Sequence, residues 1–224
     1  MQLPLVLCSR VIPAEAKRRA GIHAGTFAGN AQAWIPGLPA VARDDREGSF
    51  KPMQPSLSHL TLVLGGARSG KSRHAEALIE AMPAPWSYIA TAEAYDEEMR
   101  RRIAEHRARR PSGWETFDAP LALPEAIEAQ PPGRPILVDC LTLWLTNLIL
   151  AERDTEAARA TLVAACERAS GPVVLVGNEV GLGIVPENAL ARRFRDEAGR
   201  LHQALAARAG RVVFMVAGLP MQVK

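Results

Sequence analysis

At 224 residues, with 48% hydrophobic and 23% charged side chains, the chain can bury one sizeable core like an ordinary globular domain. No apolar run approaches the roughly 18 to 20 residues that span a bilayer, and three cysteines without metal-ligand spacing (Cys8, Cys140, Cys166) point to reduced thiols in a cytoplasm. The formal charge of +3 belongs to residues 1–52, with seven basic and four acidic side chains; the remainder balances 20 against 20, which argues against a nucleic-acid-binding surface.

The start, "MQLPLVLCSRVIP", has too short an apolar core for a secretory signal. The stretch that follows is broken by Pro13, Pro36, Pro39 and Pro52 and holds neither a helical nor a strand period. Residues 1–56 are therefore expected to be a poorly ordered extension, or a start placed upstream of a compact domain that would begin near Met53. Residues 57–224 form the expected domain. Within it, short apolar runs at 60–66, 87–91, 134–140, 172–179 and 211–218 read as strands buried on both faces. Helical patterns alternate with them at 71–82, about 95–110, about 120–129, about 141–169 in one or two pieces, and 188–208. Strand and helix in alternation predict an α/β fold, a mostly parallel sheet with helices on both faces and ligands at the carboxyl ends of the strands.

The first strand runs into "GGARSGKS", residues 65–72, which fits G-x-x-x-x-G-K-[ST] and opens a helix, the context that this phosphate-loop motif requires. Its glycines let backbone N–H groups face phosphate, Lys71 can reach the terminal phosphates, and Ser72 can ligate Mg²⁺. The chain has only four lysines, at 17, 51, 71 and 224, among 27 basic residues, so keeping Lys here fits a site where a compact ammonium is needed. Asp139, at the end of "PILVD", stands where P-loop proteins place the carboxylate that holds Mg²⁺ directly or through water. The same Asp could instead cap the following helix.

In "RIAEHRARRP", residues 102–111, Met99, Ile103, His106 and Arg110 share one helical stripe, which turns His106 inward. A packed histidine or a cation at a helix C-terminus would satisfy this spacing as well. Arg100, Arg101 and Arg102 have acidic partners at Asp96, Glu97 and Glu98, whereas Arg107, Arg109 and Arg110 have fewer and could grip a triphosphate.

Together, "GGARSGKSRHAEAL", "YIATAEAYDEEMRRRIAEHRARRP", "VDCLTLWLTNL" and "NEVGLGIVPENALARRFRDEAGRLHQALA" resemble the bifunctional adenosylcobinamide kinase/adenosylcobinamide-phosphate guanylyltransferase family of cobalamin biosynthesis, over about residues 60–224. The resemblance implies a P-loop NTPase-like fold. It also implies phosphorylation of adenosylcobinamide by a nucleoside triphosphate, then transfer of GMP from GTP to the resulting phosphate through a histidine–GMP intermediate at His106. The nucleotide-binding segments it implies are Gly65, Gly66, Ala67, Arg68, Ser69, Gly70, Lys71 and Ser72; Thr91, Ala92 and Glu93; Arg107, Ala108, Arg109 and Arg110; and Asp118 and Asp139. Lys71 joins His106 as catalytic, and Ser72 and Asp139 would hold Mg²⁺ alongside GTP or ATP. The family further implies a homo-oligomer, with a trimer as the expected form. His202 stands where some members carry Asn, and the N-terminal extension is outside the family pattern. Two other readings stay open at this point: a P-loop kinase of another small molecule with His106 structural, and a nucleotide-binding regulatory protein.

Overall fold

The structure, a computed structural model, describes residues 57–93 and 110–224. The extension 1–56 and most of the expected 95–110 helix, with His106, Arg107, Ala108 and Arg109, lie outside the described residues. Seven strands form one sheet: β1 (Leu57–Gly65), β2 (Trp86–Ala90), β3 (Trp114–Asp118), β4 (Ile136–Asp139), β5 (Val173–Asn178), β6 (Ala209–Val216) and β7 (Leu219–Gln222). Their order is β3-β2-β4-β5-β1-β6-β7. The first six pair in parallel and β7 returns antiparallel along β6.

Alternate strand residues face opposite sides, and both sides are covered. On one side Leu60, Leu62, Ile136, Val138, Val173 and Leu175 pack under α2 (Leu123–Glu128), α3 (Leu141–Leu150), α4 (Thr155–Arg168) and α5 (Ala189–Arg208). On the other, Val63, Leu137, Val174, Val176 and Val213 pack against Ala75 and Ile79 of α1 (Lys71–Glu80). Each such fully buried Val, Leu or Ile side chain contributes about 1.5–3 kcal/mol, and this double coverage explains the near-continuous apolar strands.

Within the described residues the other expected elements are present, with the 141–169 pattern in two pieces. The break comes at Glu152, held at φ 51°, and at Asp154, whose carboxylate caps α4 by accepting from the Glu156 and Ala157 amides. Strands β3 and β7 were not anticipated. Every residue of β7 is exposed and none of β3 is fully buried, because both strands lie at sheet edges and carry no buried stripe. Pro220 sits in β7, where an edge tolerates a missing N–H.

Among the described residues, no helix is long and apolar enough to cross a membrane.

Candidate nucleotide site

The parallel strands end together along one edge. Asp118, Ala90, Asp139 and Val176 stand in one row across β3, β2, β4 and β5, and Val63 and Val213 continue it across β1 and β6. Beyond that row β1 runs two residues further and turns into the phosphate loop.

That loop is shaped by its own backbone. The Ser69 amide donates to the Gly66 carbonyl at 3.3 Å, while Arg68 and Gly70 take positive φ of 55° and 91°. At Gly70 only glycine adopts this geometry without strain. At Gly65 the requirement is close approach, since a Cβ there would lie 2.6 Å from Ser69 Oγ and 2.8 Å from the Met215 carbonyl. Two neighbours fix the loop from outside. The Glu179 amide, just past β5, donates to the Gly65 carbonyl at 3.0 Å, and the Gly218 amide in the β6–β7 turn donates to the Ser69 carbonyl at 3.0 Å.

Helix α1 then starts with Gly70 as its N-cap, no side-chain cap and no acidic residue in its first turn. Its positive end and unpaired N–H groups are thus open to an anion. Lys71 is buried, and its Nζ donates to the Gly66 carbonyl at 3.0 Å. Burial pulls the Lys71 pKa below its ordinary value, and the nearby Asp139 charge opposes that shift. Ser69 is also buried, whereas Ala67 and Arg68 are exposed at the loop tip and Gly66 and Ser72 are half-buried.

Asp139 ends β4, two strands from β1. The cap of α3 is Cys140, without a side-chain cap bond, so Asp139 is not the helix cap that its position also allowed. Its Oδ2 instead accepts from the Tyr88 hydroxyl at 3.1 Å, which leaves Oδ1 without a donor among the described residues. The Cys140 thiol is pushed up to about 11 by burial and by the Asp139 charge, which keeps it neutral.

Thr91 is wholly buried. Its hydroxyl donates to the Cys140 carbonyl at 2.7 Å and accepts from the Cys140 amide at 2.8 Å, pinning the end of β2 to the end of β4. The Asn147 amide on α3 donates to the Thr91 carbonyl at 2.9 Å and to the Pro120 carbonyl at 3.0 Å. Ala92 and Glu93 follow, half-exposed on the same edge.

Arg110 lies over the Tyr88 ring, 3.2 Å from its centroid, and donates to Thr116 Oγ1 at 3.0 Å. Asp118 is exposed at the end of β3, four strands from β1, or about 19 Å at normal strand spacing. The fold thus gathers the loop, Lys71, Ser72 and Asp139 at the centre of the edge and sets Asp118 at its margin.

Sequence reasoning passed over Tyr88, Asn147 and Gly218. A hydroxyl inside "YIAT" and an amide inside the apolar "LTLWLTNLIL" were the available signals, since buried polar groups demand partners. Gly218 gave none, because its bond to Ser69 depends on β6 lying beside β1.

Ser72 and Asp139 offer a hydroxyl and a carboxylate, hard oxygen donors of the kind Mg²⁺ takes alongside phosphate oxygens, so these residues fit that ion.

A mostly parallel α/β sheet carrying this loop, with an uncapped helix start and a buried lysine, defines a P-loop protein of the nucleotide-binding class. Residues 61–223 match the family model described as cobinamide kinase / cobinamide phosphate guanyltransferase, and the chain belongs to that family. It is 55% identical to the bifunctional adenosylcobalamin biosynthesis protein CobP of Pseudomonas aeruginosa, over 73% of this chain and 96% of that one. It is 46% and 45% identical to the CobU proteins of the same description from Salmonella typhimurium and Escherichia coli, each over 74% of this chain and 99% of the relative. Among solved structures, an ATPase from the type III secretion system of pathogenic bacteria is similar at a TM-score of 0.44 and 13% identity, covering 69% of this chain and 50% of that one.

Proposed function

We propose that one phosphate loop serves two consecutive transfers: phosphorylation of adenosylcobinamide by a nucleoside triphosphate, then transfer of GMP from GTP to the adenosylcobinamide phosphate. Family membership carries the two activities, kinase and guanyltransferase. The observation that carries the shared site is the loop itself, with buried Lys71 and the open start of α1 at the centre of the strand ends.

In the kinase step the loop amides and Lys71 hold the β- and γ-phosphates, and the γ-phosphoryl passes to the substrate hydroxyl as the nucleoside diphosphate leaves. In the second reaction a ring nitrogen of His106 attacks the α-phosphorus of GTP, the bond to the bridging oxygen breaks, and pyrophosphate leaves. The histidine–GMP bond is then broken by a phosphate oxygen of the corrinoid, freeing the imidazole. His106 must be neutral to attack, and Arg107, Arg109 and Arg110 beside it in sequence offer charge to the phosphates. Ser72 and Asp139 would hold Mg²⁺, which when bound screens the phosphate charge. Thr91 acts on this reading by fixing the strand ends, with Ala92, Glu93 and Asp118 along the path toward the nucleoside.

Residues 57–224 form the catalytic domain on this reading and 1–56 an extension, supported by the start of the family match at residue 61. The protein is read as a cytoplasmic homo-oligomer, as a trimer.

Incubation with [α-³²P]GTP tests the intermediate. Label that survives alkali, is lost in acid and is absent from His106→Ala is the expected result. Absence of label from the wild type, or undiminished label in His106→Ala, would leave the kinase with a structural histidine as the better reading.

A further inference from the structure

Tyr88 joins the two charged groups on the Asp139 side of the site. It is 4% exposed, on β2 between β3 and β4, in register with Thr116 and Leu137. Its hydroxyl donates to Asp139 Oδ2, and its ring face carries the Arg110 guanidinium. Trp114 meets the same ring edge-on at 5.9 Å and is itself backed by Trp86 at 5.4 Å, so the ring has little freedom to move. Arg110 is taken up by the ring and Thr116, and Asp139 by the hydroxyl, rather than by each other.

We propose that Tyr88 is a positioning residue for the phosphate site: its hydroxyl fixes the Asp139 carboxylate, and its ring seats Arg110 at the end of the arginine-rich segment. The inference rests on the reading of Asp139 as the Mg²⁺-side carboxylate. Buried Lys71 attracts Asp139, and an unheld carboxylate would turn toward that ammonium. The Tyr88 hydroxyl opposes that turn and keeps one oxygen oriented. The ring, in turn, holds a cation by its face without neutralising it, so Arg110 keeps its charge for phosphate.

The test is equilibrium binding of a fluorescent GTP analogue to the full chain, titrated with Mg²⁺ and repeated in EDTA. For Tyr88→Phe, the Mg²⁺ needed for half-maximal effect should rise about 10-fold, as for lost partners of metal-ligating groups. Affinity in EDTA should stay at the wild-type value. In an Asp139→Asn background Tyr88→Phe should add nothing, since the two act as one unit. Tyr88→Leu, which also removes the seat of Arg110, should weaken binding in EDTA as well.

An unchanged Mg²⁺ requirement in Tyr88→Phe, an equal loss with and without Mg²⁺, or an undiminished effect in Asp139→Asn would overturn the role of the hydroxyl. Tyr88→Leu indistinguishable from Tyr88→Phe would overturn the role of the ring. A wild-type chain that binds nucleotide only without regard to Mg²⁺ would instead overturn the reading of Asp139, and this proposal with it.

Discussion

The two halves of the candidate site are built from different materials. Around the phosphate loop the fixing bonds run from main chain to main chain: Ser69 to Gly66, Glu179 to Gly65 and Gly218 to Ser69, with Lys71 closing on a carbonyl. Around Asp139 they run through side chains: the Tyr88 hydroxyl, the Thr91 hydroxyl, the Asn147 amide and the Arg110 guanidinium. The loop half therefore depends on space and backbone shape, and is sensitive to an added methyl group. The Asp139 half depends on particular functional groups, and is sensitive to loss of a single oxygen.

The largest effect should come from the one side chain on which the loop half depends. Lys71→Ala is expected to lower both transferase activities by about 10²–10³, the scale for removing one preorganised donor from a charge-stabilising site. Initial rates of the kinase and guanylyl transfers, measured separately, check this. A loss confined to one of them would break the idea of a single shared loop.

Next comes the test of space. Gly65→Ala forces a Cβ against Ser69 Oγ and the Met215 carbonyl, and should destabilise by about 1–3 kcal/mol, the usual cost of overpacking. Gly66→Ala, whose Cβ meets nothing within 4 Å, should leave stability unchanged. Urea unfolding of the two variants compares them directly, and equal midpoints would sink the steric account of the loop.

For the other half, Thr91→Val keeps the shape and removes the oxygen. The buried Cys140 amide and carbonyl then lose their shared partner, at a cost of about 1–3 kcal/mol. Urea unfolding again measures it, and a neutral substitution would mean that packing alone pins β2 to β4.

The same contrast explains what could be read from the sequence. The phosphate loop was legible because eight consecutive residues carry it and the strand before it is apolar. The five core strands were legible because burial on both faces leaves continuous apolar runs. Strand β3 lies at an edge with a burial pattern no sharper than that of a loop, and β7 is exposed throughout, so neither left a signal. Tyr88 and Asp139 are 51 positions apart, and only the pairing of β2 with β4 brings them together. Gly218 reaches Ser69 only because β6 lies beside β1. Side-chain constellations of this kind are properties of the sheet order, which no local pattern encodes.

The smallest expected effect is a pH dependence from His202, under the strand that leads into Glu179. His202 is buried on α5, and a Cβ on Gly177 would come within 2.8 Å of its Nε2, so β5 can lie against the ring only because residue 177 is glycine. Burial lowers the His202 pKa from its ordinary 6.5, and the charge of Glu179 only partly opposes the shift. With the folded value below the unfolded one, the unfolded chain binds more protons once pH falls through about 6.5. The stability due to neutral His202 is therefore full above that pH and is lost progressively below it, down to the folded value. Thermal unfolding between pH 7.5 and 5 should show Tm falling more steeply in the wild type than in His202→Gln, which keeps a polar side chain without the titration. Parallel curves would mean that Glu179 cancels the effect of burial, and a wild-type curve shallower than that of His202→Gln would mean that Glu179 outweighs burial, which would bring the side-chain logic of the Asp139 half to the β5 side of the loop.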